Sequence, residues 1–220
     1  MFQIKICGIT TVVDALATAA AGADAVGLNF FPGSKRYVAT ERAGEIADAL
    51  PPGIVKVGVF VNATEQEIRH ISKKVRLDAI QLHGDESPEF MATLADLPLV
   101  RAFRLDASGL QPVGRYLAAC RELHVVPRMI LVDACVPGQY GGTGITLDWS
   151  TLAESDTREN TIPLVLAGGL TPQNVAAAID RVHPAAVDTA GGVEYAPGKK
   201  DHTLVAAFVV AARAAFSAGG

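Results

Sequence analysis

The chain has 220 residues, 50% hydrophobic and 19% charged, with 21 Gly and 12 Pro, which is enough for one substantial core without a partner to complete it. Its 19 basic and 23 acidic side chains leave a net charge of −4, and no basic run or basic-aromatic stripe offers a nucleic-acid surface. Cys7, Cys120 and Cys135 are odd in number, widely spaced and without a CxxC or a paired His, which argues against a disulfide framework or zinc cage and for free thiols in a reducing cytoplasm.

Read from the start, MFQIKICGIT carries Lys5 inside its apolar run, and the Ala-rich stretch after it is broken by Asp14 and Asp24. Neither a signal-peptide core nor a membrane span is expected, so the protein is expected to be soluble and cytoplasmic. No linker or low-complexity stretch divides the chain, and residues 1–220 are expected to form a single domain.

Eight short runs rich in Val and Ile predict strands at 2–6, 23–29, 54–60, 78–82, 99–103, 129–133, 164–168 and 185–188. Helical spacing lies between them: Val13, Leu16, Ala17 and Ala20; Ala43, Ile46, Ala47 and Leu50; Ile68, Ile71 and Val75; Val113, Tyr116, Leu117 and Cys120; Val175, Ala178, Ile179 and Val182. Thr64 and Glu67 predict a capping box, and Ser87-Pro88 and Thr171-Pro172 each place a capping hydroxyl before a first-turn proline. Strands buried on both faces and separated by helices pair in parallel through right-handed crossovers. Eight units of about 27 residues predict a closed single-domain (β/α)8 TIM barrel. A doubly wound sheet would want a Gly-rich fingerprint after the first strand, where KICGIT supplies one Gly.

Chemistry in such a barrel collects where the strands end. Cys7 closes the first strand beside Gly8; it is either a small buried hydrophobe or a reactive thiol at the mouth. Asp133 follows four apolar residues, where a carboxylate is costly to bury unless it caps an amide or does acid-base work. The Gly-rich stretch from Pro137 to Gly144 after it is a candidate substrate-closing loop. In the loop after strand two, Arg36 could clamp a carboxylate with two hydrogen bonds, whereas Lys35 reads as surface. His83, in QLHGDE, is a candidate to line the pocket. Gly168-Gly169 and Gly191-Gly192 stand after strands seven and eight, the pair of loops where barrels commonly bind phosphate through backbone N–H groups and a helix N-terminus.

Taken in order, KICGIT, GLNFFPGSKRYV, VGVFVN, QLHGDE, LVDA with YGGTGITLDW, LAGGLTPQNV and VDTAGGVEYAPGKKD resemble the phosphoribosylanthranilate isomerases of tryptophan biosynthesis, from Lys5 to Asp201. The most specific parts are KICG, QLHGDE, GGTG-x3-DW and the final GGVE with GKKD. Two departures stand out: Ser34-Lys35-Arg36 where the family usually shows Ser-Pro-Arg, and Ala190-Gly191-Gly192 where it usually shows Ser-Ser-Gly. The resemblance implies an Amadori rearrangement without cofactor or metal, on a small phosphorylated aminosugar, by a monomer or homodimer. It implies Asp133 as general acid at the furanose oxygen, Cys7 as general base at C2′, Arg36 facing the anthranilate carboxylate and Asp188 at sugar hydroxyls. Those roles require Asp133 to hold a proton and Cys7 to lose one, so the apolar strand end is expected to raise the first pKa, and local dipoles or the substrate iminium to favour the thiolate.

Three rivals remain. A ribulose-phosphate epimerase would need His and Asp metal ligands at several strand ends, and strand two ends in Asn29 without them. The related histidine-pathway isomerase typically carries Asp where Cys7 stands. A phospho-sugar binding protein without catalysis would not need both Cys7 and Asp133.

Overall fold

A computed structural model describes residues 1–105, 109–133 and 162–219. Eight strands, β1 (Ile4–Cys7), β2 (Ala25–Asn29), β3 (Val55–Phe60), β4 (Ala79–Leu82), β5 (Leu99–Arg104), β6 (Met129–Asp133), β7 (Leu164–Ala167) and β8 (Ala186–Thr189), pair in chain order as a closed parallel barrel. The seam is sealed by β1 on β8, with Lys5 opposite Asp188. All eight expected strands are present, each within two residues of its predicted ends.

Seven helices occur among the described residues: α1 (Val12–Ala20), α2 (Thr40–Ala49), α3 (Glu65–Val75), α4 (Pro88–Thr93), α5 (Gln111–Glu122), α6 (Val175–Val182) and α7 (His202–Ala218). The Thr64–Glu67 capping box starts α3 and Ser87 caps α4, as their sequences predict. The helix after β7 is a correction: it begins at Val175, not at Thr171. Asn174 accepts from the Thr171 N–H (2.8 Å) and donates to the Gly169 carbonyl (3.0 Å), folding 171–174 into a turn before the helix starts. After β8, a 3-10 turn (Gly191–Val193) leads into a small hairpin of β9 (Glu194–Ala196) and β10 (Lys199–Lys200), then α7.

Strand alternation divides the core in two. Outward residues such as Ile4, Ile6, Leu28, Leu82, Val132 and Leu166 pack under the helices, while Ala25, Val57, Ala79, Val100, Ala102, Leu131, Val165, Ala167 and Ala186 fill the barrel. Phe2 and Met129 complete that interior cluster. No described helix is long and apolar enough to cross a membrane. Cys135, the candidate loop from Pro137 to Gly144 and the GGTG-x3-DW segment lie outside the described residues.

Candidate active site

The inward register that buries Ala25 and Ala79 also places polar groups. On β1 it turns Lys5 and Cys7 inward, on β4 Gln81 and the following His83, on β6 Asp133 and on β8 Asp188. Gly27, paired with Cys7 across β1–β2, gives the thiol its room. A Cβ there would stand 2.6 Å from Cys7 Sγ and 3.1 Å from Lys5 Nζ, so the sulfur and the ammonium converge over one bare glycine.

Lys5 is completely buried, and its Nζ donates to Asp188 Oδ1 at 3.0 Å. Burial works against its charge, but Asp188 and Cys7 hold its pKa above the ordinary lysine value. Asp188 is therefore where the sequence places it, but it is engaged with a lysine. Burial also pushes the Cys7 thiol up, with Lys5 and Lys200 opposing and Asp188 reinforcing the rise. The expected help from local groups toward a thiolate is thus outweighed, because the nearest cation is already paired with a carboxylate.

His83 and Asp133 meet across the mouth, Nε2 to Oδ2 at 3.9 Å. Burial, reinforced by Arg104, Lys5 and Arg101, lowers the His83 pKa to about 3, so the ring is neutral at any physiological pH. Gln81 Nε2 donates to His83 Nδ1 at 3.0 Å, which leaves the ring proton on Nε2, the nitrogen facing Asp133. The pocket-lining expectation for His83 therefore acquires a polarity: it offers an N–H at the carboxyl group.

Arg36 reaches the site along Gly8. That glycine has φ +75°, and a Cβ on it would collide with Arg36 Cδ, so the stem crosses the end of β1 where only hydrogen fits. Ser34 Oγ accepts from the Arg36 N–H (3.1 Å) and from Asn29 Nδ2 (3.2 Å), which shapes the loop without the family's proline. The guanidinium is bound to Glu194: Nε at 2.9 and 3.1 Å and Nη2 at 2.7 Å from its two oxygens. Lys35 is exposed, as its sequence reading has it.

Glu194 and Lys200 are site residues that sequence reasoning missed, although GGVE and GKKD carried the signal. Lys200, 2% exposed, donates from Nζ to Cys7 O (2.6 Å), Ala190 O (3.0 Å) and Glu194 Oε1 (2.8 Å). Lys5 and Gln81 were missed too, since nothing but inward register marks them.

The two Gly-rich loops lie side by side. Gly168 (φ +91°) and Gly169 (φ +65°) turn the chain after β7 in a conformation that favours glycine. Thr189 Oγ1 donates to Leu170 O (2.7 Å), and a Cβ on Gly192 would run into that same carbonyl. Gly191 opens the 3-10 turn beside the Arg36 guanidinium. No group of three or more His, Cys, Asp or Glu among the described residues is arranged to hold a metal ion.

The relatives of this architecture are consistent with one another. The family model of N-(5'phosphoribosyl)anthranilate (PRA) isomerase matches residues 4–211. An N-(5'-phosphoribosyl)anthranilate isomerase of Rubrobacter xylanophilus is 45% identical over 216 residues, 97% of this chain and all of the relative. The crystal structure of phosphoribosyl anthranilate isomerase from Thermotoga maritima superposes with a TM-score of 0.86 at 43% identity, covering 97% of this chain and 100% of that one. A further structure of such an isomerase, in complex with reduced 1-(o-carboxyphenylamino)-1-deoxyribulose 5-phosphate, gives a TM-score of 0.82 at 40% identity, with 97% and 100% covered.

Proposed function

The chain belongs to the N-(5'-phosphoribosyl)anthranilate isomerase family and is an isomerase of tryptophan biosynthesis; we propose that Asp133 and Cys7 are the acid and base of its rearrangement. The observation that supports this assignment is their shared position: both are inward-facing at the carboxyl ends of β1 and β6, around one mouth.

In this reading Asp133 protonates the furanose ring oxygen, and the C1′–O bond breaks to give an open-chain iminium. His83, neutral and with Nε2–H toward Asp133, helps orient that carboxyl. Cys7, as thiolate, then takes the C2′ proton; the C–H electron pair forms the C1′=C2′ double bond of the enolamine, and the C1′=N π pair moves onto nitrogen, neutralising it. Tautomerisation of the enolamine yields the ketone. Arg36 faces the anthranilate carboxylate, Asp188 the sugar hydroxyls, and backbone N–H groups at Gly168, Gly169, Gly191 and Gly192 take the phosphate. Both proton carriers are side chains of the protein, so the reading includes no cofactor and no metal. It places the enzyme in the cytoplasm as a monomer or homodimer formed by one single-domain chain, with a small phosphorylated aminosugar as its only partner.

The test is the fluorescence decay of freshly made phosphoribosylanthranilate. Cys7→Ala removes the proton acceptor and Asp133→Asn the donor, and each should cost at least about 10²-fold in kcat, while binding of the reduced product analogue persists. Near-native turnover in either variant would refute its assignment.

A further inference from the structure

The GGVE and GKKD segments are among the most specific parts of the sequence, yet beyond the two glycines the proposed rearrangement gives them no role. Glu194 stands at their centre. Its side chain is 4% exposed, and its carboxylate accepts from Arg36 Nε and Nη2, from the Gly198 N–H (3.2 Å) and from Lys200 Nζ (2.8 Å).

A guanidinium has five N–H donors and two edges that can each meet a carboxylate. Glu194 takes the side edge, Nε with Nη2. Among the described residues, the end fork, Nη1 with the second Nη2 proton, has no hydrogen-bond partner. Gly8 beneath the stem and Gly191 beside Nη2, whose Cβ would come within 3.1 Å of that nitrogen, confine the group from two further sides.

We propose that Glu194 is a positioning residue for substrate recognition, holding the Arg36 guanidinium in one plane so that its end fork meets the aryl carboxylate. The proposal rests on the assignment of Arg36 to that carboxylate. An anion so close to an anion-binding group would ordinarily defeat its purpose. Lys200 removes the conflict: Arg36, Glu194 and Lys200 together sum to one positive charge, so the cluster still attracts a carboxylate. Glu194 itself stays ionised, because Arg36 and Lys200 outweigh its burial and hold its pKa below the ordinary carboxylate range. Lys200 in turn is anchored on the carbonyls of Cys7 and Ala190, so the orientation of Arg36 is set relative to the strand end that carries the base.

The experiment compares two ligands by calorimetry: the reduced product analogue, and its counterpart lacking the ring carboxylate. Arg36→Met should erase most of the native preference for the first ligand. Glu194→Gln, which keeps the volume but loses the charge and one acceptor, should cut that preference about tenfold or more, raise KM in the same proportion and leave kcat little changed. In the double variant, Glu194→Gln should add nothing to Arg36→Met. If Arg36→Met cuts the preference and Glu194→Gln leaves it unchanged or increases it, the positioning role is overturned while the Arg36 assignment stands. If Arg36→Met itself leaves it unchanged, both fall. Should Glu194→Gln not fold, nitrogen NMR of the native chain decides: resolved, slowly rotating Nη1 and Nη2 groups of Arg36 in the free protein support the proposal, and a freely rotating guanidinium refutes it.

Discussion

Gly27→Ala is a one-methyl substitution that should disable the site without replacing any proposed reacting group. The added methyl would lie 2.6 Å from Cys7 Sγ, 3.0 Å from Cys7 Cα and 3.1 Å from Lys5 Nζ. Non-bonded carbon contacts settle near about 3.5–4.0 Å, so the sulfur must retreat by roughly 1 Å or leave its rotamer, and β1 must shift because one contact is to backbone. Overpacking of this kind typically costs about 1–3 kcal/mol. For a chain of this size that lowers Tm by roughly 2–12 °C, so the variant should still fold. A proton acceptor displaced by about 1 Å costs on the order of 10²-fold in rate. The expected outcome is therefore a kcat reduced by about that factor, with a smaller loss of affinity for the reduced product analogue, since the phosphate loops follow β7 and β8 and only the Arg36 end of the site rests on β1. The fluorescence decay gives kcat and KM, calorimetry the affinity and a thermal melt the stability. A lowered Tm with native kcat would show that the thiol's position over Gly27 does not matter to the reaction, and would refute the argument.

Other outcomes follow from the same geometry. Burial raises the Cys7 pKa above its ordinary 9.0, so in the free enzyme the thiol stays protonated through neutrality and thiolate accumulates only above that value. Iodoacetamide labelling of Cys7, followed by peptide mapping, should climb through and beyond pH 9, and a half-maximal rate near neutrality would contradict the raised pKa. Arg36→Met should raise KM much more than it lowers kcat, because the aryl carboxylate keeps its charge throughout the reaction; a loss confined to kcat would mean that Arg36 acts in the transition state. Ala190→Ser, restoring a hydroxyl beside the expected phosphate, should leave product-analogue affinity unchanged or strengthen it by no more than about 1.5–3 kcal/mol, and weaker binding would place the phosphate elsewhere.

The barrel was legible because its strands are short apolar runs with a near-regular spacing, and register then carries every second side chain inward without further information. Cys7, His83 and Asp133 could be placed at the mouth because they stand at strand ends, whereas Asp188 entered only through the family resemblance. The start of α6 was not legible, because Thr171-Pro172 is a good capping pair and only the contact of Asn174 with Gly169, two loop residues folding on each other, shows that the chain turns once more. The hairpin at Glu194–Ala196 and Lys199–Lys200 is too short to carry a period. Helix α7 escaped notice for the opposite reason: HTLVAAFVVAARAAFSA is apolar on nearly every side and shows little 3.6-residue contrast. The partners of charged groups were also beyond reach. That Arg36 binds Glu194, 158 positions away, depends on barrel closure, and so does the Lys5–Asp188 pair across the β1–β8 seam.

These two distant pairs bear on how the proposed base can work. Cys7 has two buried ammonium groups near it, and a buried cation beside a thiol ordinarily favours the thiolate. Here each cation is engaged by a carboxylate, Asp188 for Lys5 and, shared with Arg36, Glu194 for Lys200, so the pull of each on the sulfur is blunted. Buried pairs of this kind add little stability over well-packed apolar residues, but they shape the field at the sulfur: Lys5 and Lys200 favour the thiolate, Asp188 opposes it, and burial outweighs the two lysines in favour of the neutral thiol. A further positive charge arrives with the substrate, when ring opening creates an iminium whose carbon, C1′, is bonded directly to C2′. On the proposed assignment, Cys7 ionises in response to the intermediate it must deprotonate, and a resting thiol with a raised pKa is compatible with its role as base.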